Sequence, residues 1–152
     1  MAVVIAAIAF VVKENEGPPR YEVTGKARLV DGDSLVIDGL KIRLKNIDAP
    51  EGQQNCRRNG KDWRCGQEAT RRLGNFINKR PVSCKGDKYD RYNRLLAICT
   101  VAGQDLKKWM VLEGWAVAFG SYRREERAAS RAKRGIWSSS FQRPRVWRAE
   151  HK

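Results

Sequence analysis

The chain has 152 residues, with 31 lysines and arginines against 17 acids, a formal net charge of +14 and a pI near 10.1. That length makes one domain, able to bury roughly two-thirds of its unfolded surface. The charge excludes little about the fold, but it points to a polyanionic partner: nucleic acid first, because phosphate neutralisation drives sequence-independent binding, and an acidic membrane surface second.

Residues 1–12 read MAVVIAAIAFVV and run into polar KENEGPPR. The apolar run is too short for a transmembrane helix of about 20 residues. It has the length of an export-signal core, without a basic leader or a clear cleavage site. Residues 1–20 are therefore expected to be an export signal or membrane anchor plus linker, with a buried first strand as the alternative.

Residues 21–30 predict the first strand. The next stretch, residues 31–51, DGDSLVIDGLKIRLKNIDAPE, organises the rest. Asp38-Gly39 between two apolar runs is the strongest two-residue signal for a type I′ hairpin. On the returning strand Leu40, Ile42 and Leu44 alternate with Lys41, Arg43 and Lys45, so one face is apolar and the other basic. The short turn brings Asp31 and Asp33 back beside residues 46–51, gathering Asp48 and Glu51 near them with Arg43 alongside. Carboxylates crowded in this way repel one another unless a cation joins them, and hard divalent ions take such oxygen ligands. Ordinary turn chemistry is the competing explanation for any one of these acids alone.

Residues 52–66 form a polar loop holding Trp63. Residues 67–78 predict a helix, with Ala69, Leu73, Phe76 and Ile77 on one face. Residues 81–84 and 95–101 predict two further strands, joined by the charged loop KGDKYDRYNR. A second helix is expected over residues 105–112, with Leu106, Trp109 and Met110 inward and Gly114 at its cap. Residues 115–119 read as an apolar linker. A third helix is expected over 123–134, packed through Ala128, Ala129 and Ala132 and capped by Gly135, with Ile136 and Trp137 plugging the core. The basic tail, residues 138–152, has no assignment.

The four cysteines, Cys56, Cys65, Cys84 and Cys99, fit no zinc spacing, and the one histidine, His151, lies in the tail. Two disulfides are favoured over metal ligation and over free thiols, which points to an extracytoplasmic compartment, periplasmic or secreted. Cys56 with Cys65 and Cys84 with Cys99 is the simplest of the three connectivities, each pair being close in sequence. The first would close a loop of about ten residues, worth roughly 2.5 to 3 kcal/mol on the chain-entropy account.

DGDS, then IRLKNIDAPE, then DRYNRLLA over residues 90–97, in this order across residues 21–137, resemble the thermonuclease family of staphylococcal-nuclease-like phosphodiesterases. The resemblance implies an α+β fold, an OB-fold made of a five-stranded antiparallel β-barrel with about three helices. Such folds bind single strands through basic grooves and stacking aromatics. It implies a Ca²⁺-dependent nuclease acting on DNA and RNA, expected as a monomer, with Asp33 and Asp48 as carboxylate ligands and the main-chain carbonyl of Ala49 as a third. Ala49 stands where the family usually has threonine. Asp31 would lie close and shape the field. Glu51 matches the glutamate usually assigned as general base, and Arg43 and Arg94 match the two phosphate-binding arginines. Arg91 and Tyr92 would sit where the family binds a terminal phosphate. Phe119 replaces a usual tyrosine, with Tyr122 as a substitute. Relative to the family the 52–66 loop is slightly longer, and its cysteines are additional. The competing function is a basic OB module that binds nucleic acid without cutting it. The acids argue against that, since a pure binder has no use for carboxylates that repel phosphate.

Overall fold

A computed structural model describes residues 20–152, so the apolar start and its expected export or anchoring role lie outside the described residues. Residues 21–29 form two strands, β1 (Tyr21–Gly25) and β2 (Arg28–Leu29), separated by a bend at Lys26 and Ala27. The hairpin follows as expected: β3 (Ser34–Ile37) and β4 (Leu40–Leu44) pair antiparallel, Ser34 opposite Arg43 and Ile37 opposite Leu40. Asp38 and Gly39 both have positive φ, 48° and 78°, the conformation a type I′ turn demands. The alternation of the second strand is realised, with Ile42 and Leu44 buried and Lys41 exposed.

Two long strands complete the sheet, β8 (Val82–Tyr89) and β9 (Leu95–Val101), after a short strand, a hairpin and a helix considered below. The strand order is β1-β8-β9-β4-β3-β2. Because β1 and β2 are consecutive in the chain, the two ends of that order meet at the bend and the sheet curls into a barrel. Neighbouring strands run antiparallel except β4 and β9, which pair in parallel, Arg43 opposite Leu96. The first half of the expected ten-residue charged loop, residues 85–89, is strand: β8 turns Val82, Cys84 and Gly86 inward and Lys85 and Lys88 outward, and only residues 90–94 turn. A bulge between Gly86 and Lys88 absorbs the register shift.

Helix α1 (Cys65–Ile77) begins two residues earlier than its apolar stripe suggests and buries Ala69, Leu73 and Ile77 against the barrel. Helix α2 (Leu106–Leu112) follows the short strand β10 (Gln104–Asp105), whose Asp105 carboxylate accepts a hydrogen bond from the Lys107 amide as an N-cap. Leu106, Met110 and Val111 are buried, whereas Trp109 is only partly covered and stacks on Phe76 with ring centroids 4.3 Å apart. Helix α3 (Arg123–Arg131) does not pack through the expected alanine stripe. Glu126 and Ala129 are its buried residues, and Ala128 and Ala132 face solvent. The cause is the Glu126 carboxylate, which accepts a bond from the buried amide of Ala118 at 3.0 Å and so fixes the helix's rotation. Ile136, in a 3₁₀ turn at Gly135–Ser138, is fully buried, while Trp137 rests half-buried on Phe141.

Both expected disulfides are present. Cys84 and Cys99 face each other across β8 and β9 in the core. Cys56 and Cys65 staple a small hairpin, β6 (Cys56–Arg58) with β7 (Lys61–Trp63), to the start of α1. Replacing Cys84 and Cys99 together by alanine is expected to cost about 3 kcal/mol, since the cross-link closes a loop of 15 residues' separation. Chemical denaturation checks this, and peptide mass spectrometry without reduction should recover the two links and no others.

Candidate active site

Asp33 enters β3 from the 30–33 turn, and its main-chain carbonyl accepts the Leu44 amide at 2.8 Å, which pins the acid beside the end of β4. Its side chain is 3% exposed. Such a buried carboxylate needs partners, and it has three: the Ala49 amide at 2.8 Å, the Ser34 hydroxyl at 3.0 Å and the Arg43 guanidinium. Asp48 lies on β5 (Ile47–Asp48), clamped antiparallel to β11 (Val117–Ala118). That pairing converts the expected apolar linker into a strand, and the Phe119 amide continues it onto the Asn46 carbonyl at 2.8 Å.

Arg43 is the hub. One of its terminal nitrogens donates to Asp33 and the other to Asp48 at 3.2 Å, so a single cation spans both acids. Burial alone would lower its pKa, but Asp33 and then Asp48 outweigh that and raise it. Asp31 sits beside the pair, accepting the Asp33 amide at 3.1 Å. Burial first, and then the Asp33 charge, push its carboxyl up to about 7. Across the cleft Arg94 is held by Asp90, with Nε donating at 2.8 Å, while its Nη1 reaches the Ser34 hydroxyl at 3.3 Å. Burial would raise the Asp90 pKa, yet bonds from the Arg94 amide, the Arg94 side chain and the Tyr92 amide hold it below the ordinary value. The exposed Tyr92 ring carries Arg91 at 4.8 Å and Arg94 at 5.3 Å.

These groups line a cleft of about 990 Å³, with Asp31, Asp48, Glu51, Arg43, Arg91, Tyr92, Arg94 and Phe119 on its walls. One expected cleft residue lies elsewhere, and one unassigned segment enters the cleft. Tyr122 is absent from those walls: its hydroxyl donates to Asp105 at 2.7 Å and its ring lies against Lys107, so it serves the junction of α2 and α3. Burial and the neighbouring Asp105 carboxylate push its pKa well above the ordinary tyrosine value. The unassigned tail, in contrast, enters the cleft. Its last helix, α4 (Pro144–Glu150), places Arg148 on Asp48, at 2.8 and 3.2 Å, and on Glu51, at 2.7 Å. The one sequence signal for that helix is Pro144, a residue suited to a first helical position. Nothing local foretells where it docks.

The chemistry assembled here is that of phosphate recognition beside carboxylates, and comparison with known proteins gives it a lineage. The family model for staphylococcal nuclease homologues matches residues 41–139, more than half of the chain. The chain belongs to the staphylococcal nuclease family. It is a nuclease-type hydrolase, and its barrel is an OB-fold. The succinoglycan biosynthesis protein ExoI of Rhizobium meliloti (strain 1021) is 32% identical over 140 residues, covering 87% of this chain and 73% of that protein. An uncharacterized endonuclease of Escherichia coli O157:H7 is 30% identical over 133 residues, covering 80% and 81% respectively. Endonuclease YncB of Bacillus subtilis (strain 168) is 30% identical over 130 residues, covering 74% of this chain and 60% of that enzyme.

Among the described residues no three acidic, histidine or cysteine side chains converge as a ready metal cage. Arg43 bridges Asp33 and Asp48, and Arg148 bridges Asp48 and Glu51. The donors nevertheless suit a hard cation, being carboxylate oxygens close enough for one guanidinium to touch both Asp33 and Asp48.

Proposed function

We propose that this nuclease hydrolyses both DNA and RNA with little sequence preference, needs Ca²⁺, and works as a monomer outside the cytoplasm. The observation that carries the reading is one cleft with Arg43, Arg94, Asp48 and Glu51 on its walls, in which Arg43 also donates to the buried Asp33. Low sequence preference follows from chemistry directed at the phosphodiester, with the +14 charge attracting any nucleic acid. Two disulfides support a compartment that keeps them oxidised. Any signal or membrane contact of residues 1–20 belongs to the same proposal.

Asp33, Asp48 and the Ala49 carbonyl are the groups that would hold the ion. When bound, Ca²⁺ supplies Lewis-acid polarisation of the phosphate. The chain's own side chains do the rest. Arg43 and Arg94 present planar forks to the equatorial oxygens, where charge grows during attack. Glu51 takes the proton of the attacking water, acting as a general base. Arg91 receives a flanking phosphate, and Tyr92 and Phe119, 59% and 60% exposed, offer ring faces to the bases.

Digestion of plasmid DNA and of RNA, with Ca²⁺ and with a chelator, tests this. Chelator is expected to abolish cleavage of both polymers while leaving salt-sensitive DNA binding, since the basic surface needs no ion. Undiminished cutting in chelator would sink the metal assignment, and cutting of one polymer alone would narrow the substrate.

A further inference from the structure

Helix α4 lies beyond residues 41–139, the span shared with the family, yet its Arg148 touches two of the acids at the centre of the cleft. Seven residues do not make a helix that is stable by itself. Apolar burial does little to hold this one: Pro144 is its buried residue, and Val146 is 48% exposed. Its attachments are polar. The buried Gln54 donates to the Gln142 carbonyl at 2.7 Å, Arg143 meets Glu126 at 3.4 Å, and Arg148 grips Asp48 and Glu51.

Arg148 occupies both oxygens of Asp48 and one of Glu51. A metal ion approaching Asp48 must share those oxygens with Arg148, beside the Arg43 contact already there, or displace it, and like charges so close repel strongly. We propose that Arg148 sets the divalent-ion requirement of the site: it supplies positive charge to Asp48 and Glu51 when no ion is there, and ion binding and α4 docking oppose each other. The inference rests on the Ca²⁺ reading above. The opposition is reciprocal, so whatever docking costs the ion, the ion costs docking. A helix held by three polar attachments can be released by one of them.

Calorimetric titration of the metal-stripped full-length protein with calcium chloride, without substrate and at one ionic strength, reads the coupling directly. Arg148→Ala and Arg148→Gln are expected to bind Ca²⁺ at least about tenfold more tightly than wild type. Arg148→Lys, which keeps the charge but loses the fork, should fall between. Saturating Ca²⁺ should also speed amide hydrogen exchange across residues 145–150 in wild type. Thermal midpoints of the variants confirm folding, which a side chain 39% exposed makes safe. Wild type that binds Ca²⁺ with variants binding no tighter would overturn the inference while sparing the Ca²⁺ reading. If no variant binds the ion and chelator leaves cleavage intact, the Ca²⁺ reading fails and the inference with it.

Discussion

Changing Arg94 or Arg43 to lysine is expected to lower kcat by on the order of a hundredfold or more, the scale of losing one preorganised donor to developing charge. The net charge stays the same, so binding of long DNA at fixed salt should hardly change. Geometry is what is lost. A guanidinium offers two nitrogens in a plane to two phosphate oxygens, and an ammonium is a point charge. The structure separates the two positions further. Arg94 is steadied by Asp90 and by the Ser34 hydroxyl, and a lysine there leaves the barrel intact, so the thermal midpoint should hold. Arg43 bridges Asp33 and Asp48, and one ammonium cannot reach both as the fork does. Arg43→Lys should therefore also lower the midpoint by a few degrees. Arg131→Lys, at the exposed end of α3, is the control and should change neither quantity. The measurements are kcat on a short labelled single strand, DNA affinity and a melting curve. Wild-type rates in both variants would mean that these arginines attract the polymer without touching the reacting phosphate.

Gly66→Ala should be strongly damaging, because among the described glycines its added carbon would meet the closest backbone contact. A Cβ at Gly66 would lie 1.7 Å from the main-chain carbonyl oxygen of Glu51 and 2.7 Å from its carbon. Backbone cannot step aside as the end of a flexible side chain can. The same segment is tied down by the Gly66 amide on the Gln54 carbonyl at 3.1 Å and by the Gln54 amide on the Glu51 carbonyl at 2.8 Å. Relief requires moving the start of α1, which the Cys56–Cys65 bond restrains, or moving Glu51 itself. Overpacking of this kind costs typically 1–3 kcal/mol and occasionally more, and here the upper part of that range is expected, a fall in midpoint of roughly 5 to 10 °C. Because the strained partner is the proposed base, a displacement of about 1 Å should also slow cleavage by on the order of a hundredfold. Gly52→Ala is the matched control: nothing lies within 4 Å of the added carbon, and its melting curve should stay close to wild type. A Gly66→Ala protein that melts and cuts like wild type would show that the loop yields freely.

Much of this was legible without coordinates, and the reason is that those signals are local. Asp38-Gly39 between alternating runs specifies a hairpin because both turn residues need positive φ and the side-chain period is two. The hairpin in turn forces Asp33 and Arg43 into one neighbourhood, Ser34 opposite Arg43 in the register. The cysteine pairs also follow from short separations, 9 and 15 residues. Where the periodicity was weak, local reading failed. The strand character of residues 85–89 is hidden by their charges, since β8 turns those side chains outward. The rotation of α3 is fixed by one Glu126 hydrogen bond to Ala118, which outweighs an alanine stripe. Tyr122 looked like a cleft aromatic until Asp105, 17 residues away, claimed its hydroxyl.

The sequence by itself determined the barrel's hairpin, the acidic and arginine-bearing motifs, the disulfide pairs and, through motif order, the family. Only the tertiary structure decided how those motifs close into a site. The parallel pairing of β4 with β9 sets Arg43 beside Leu96, the strand that emerges from the Arg94 turn, and the clamp of β5 on β11 sets Asp48 and Phe119 at one edge. The contact between Arg148 and Asp48 spans 100 residues of chain. Contacts of that range leave no periodic trace in sequence, because they arise from where packed elements end and not from what any one element prefers.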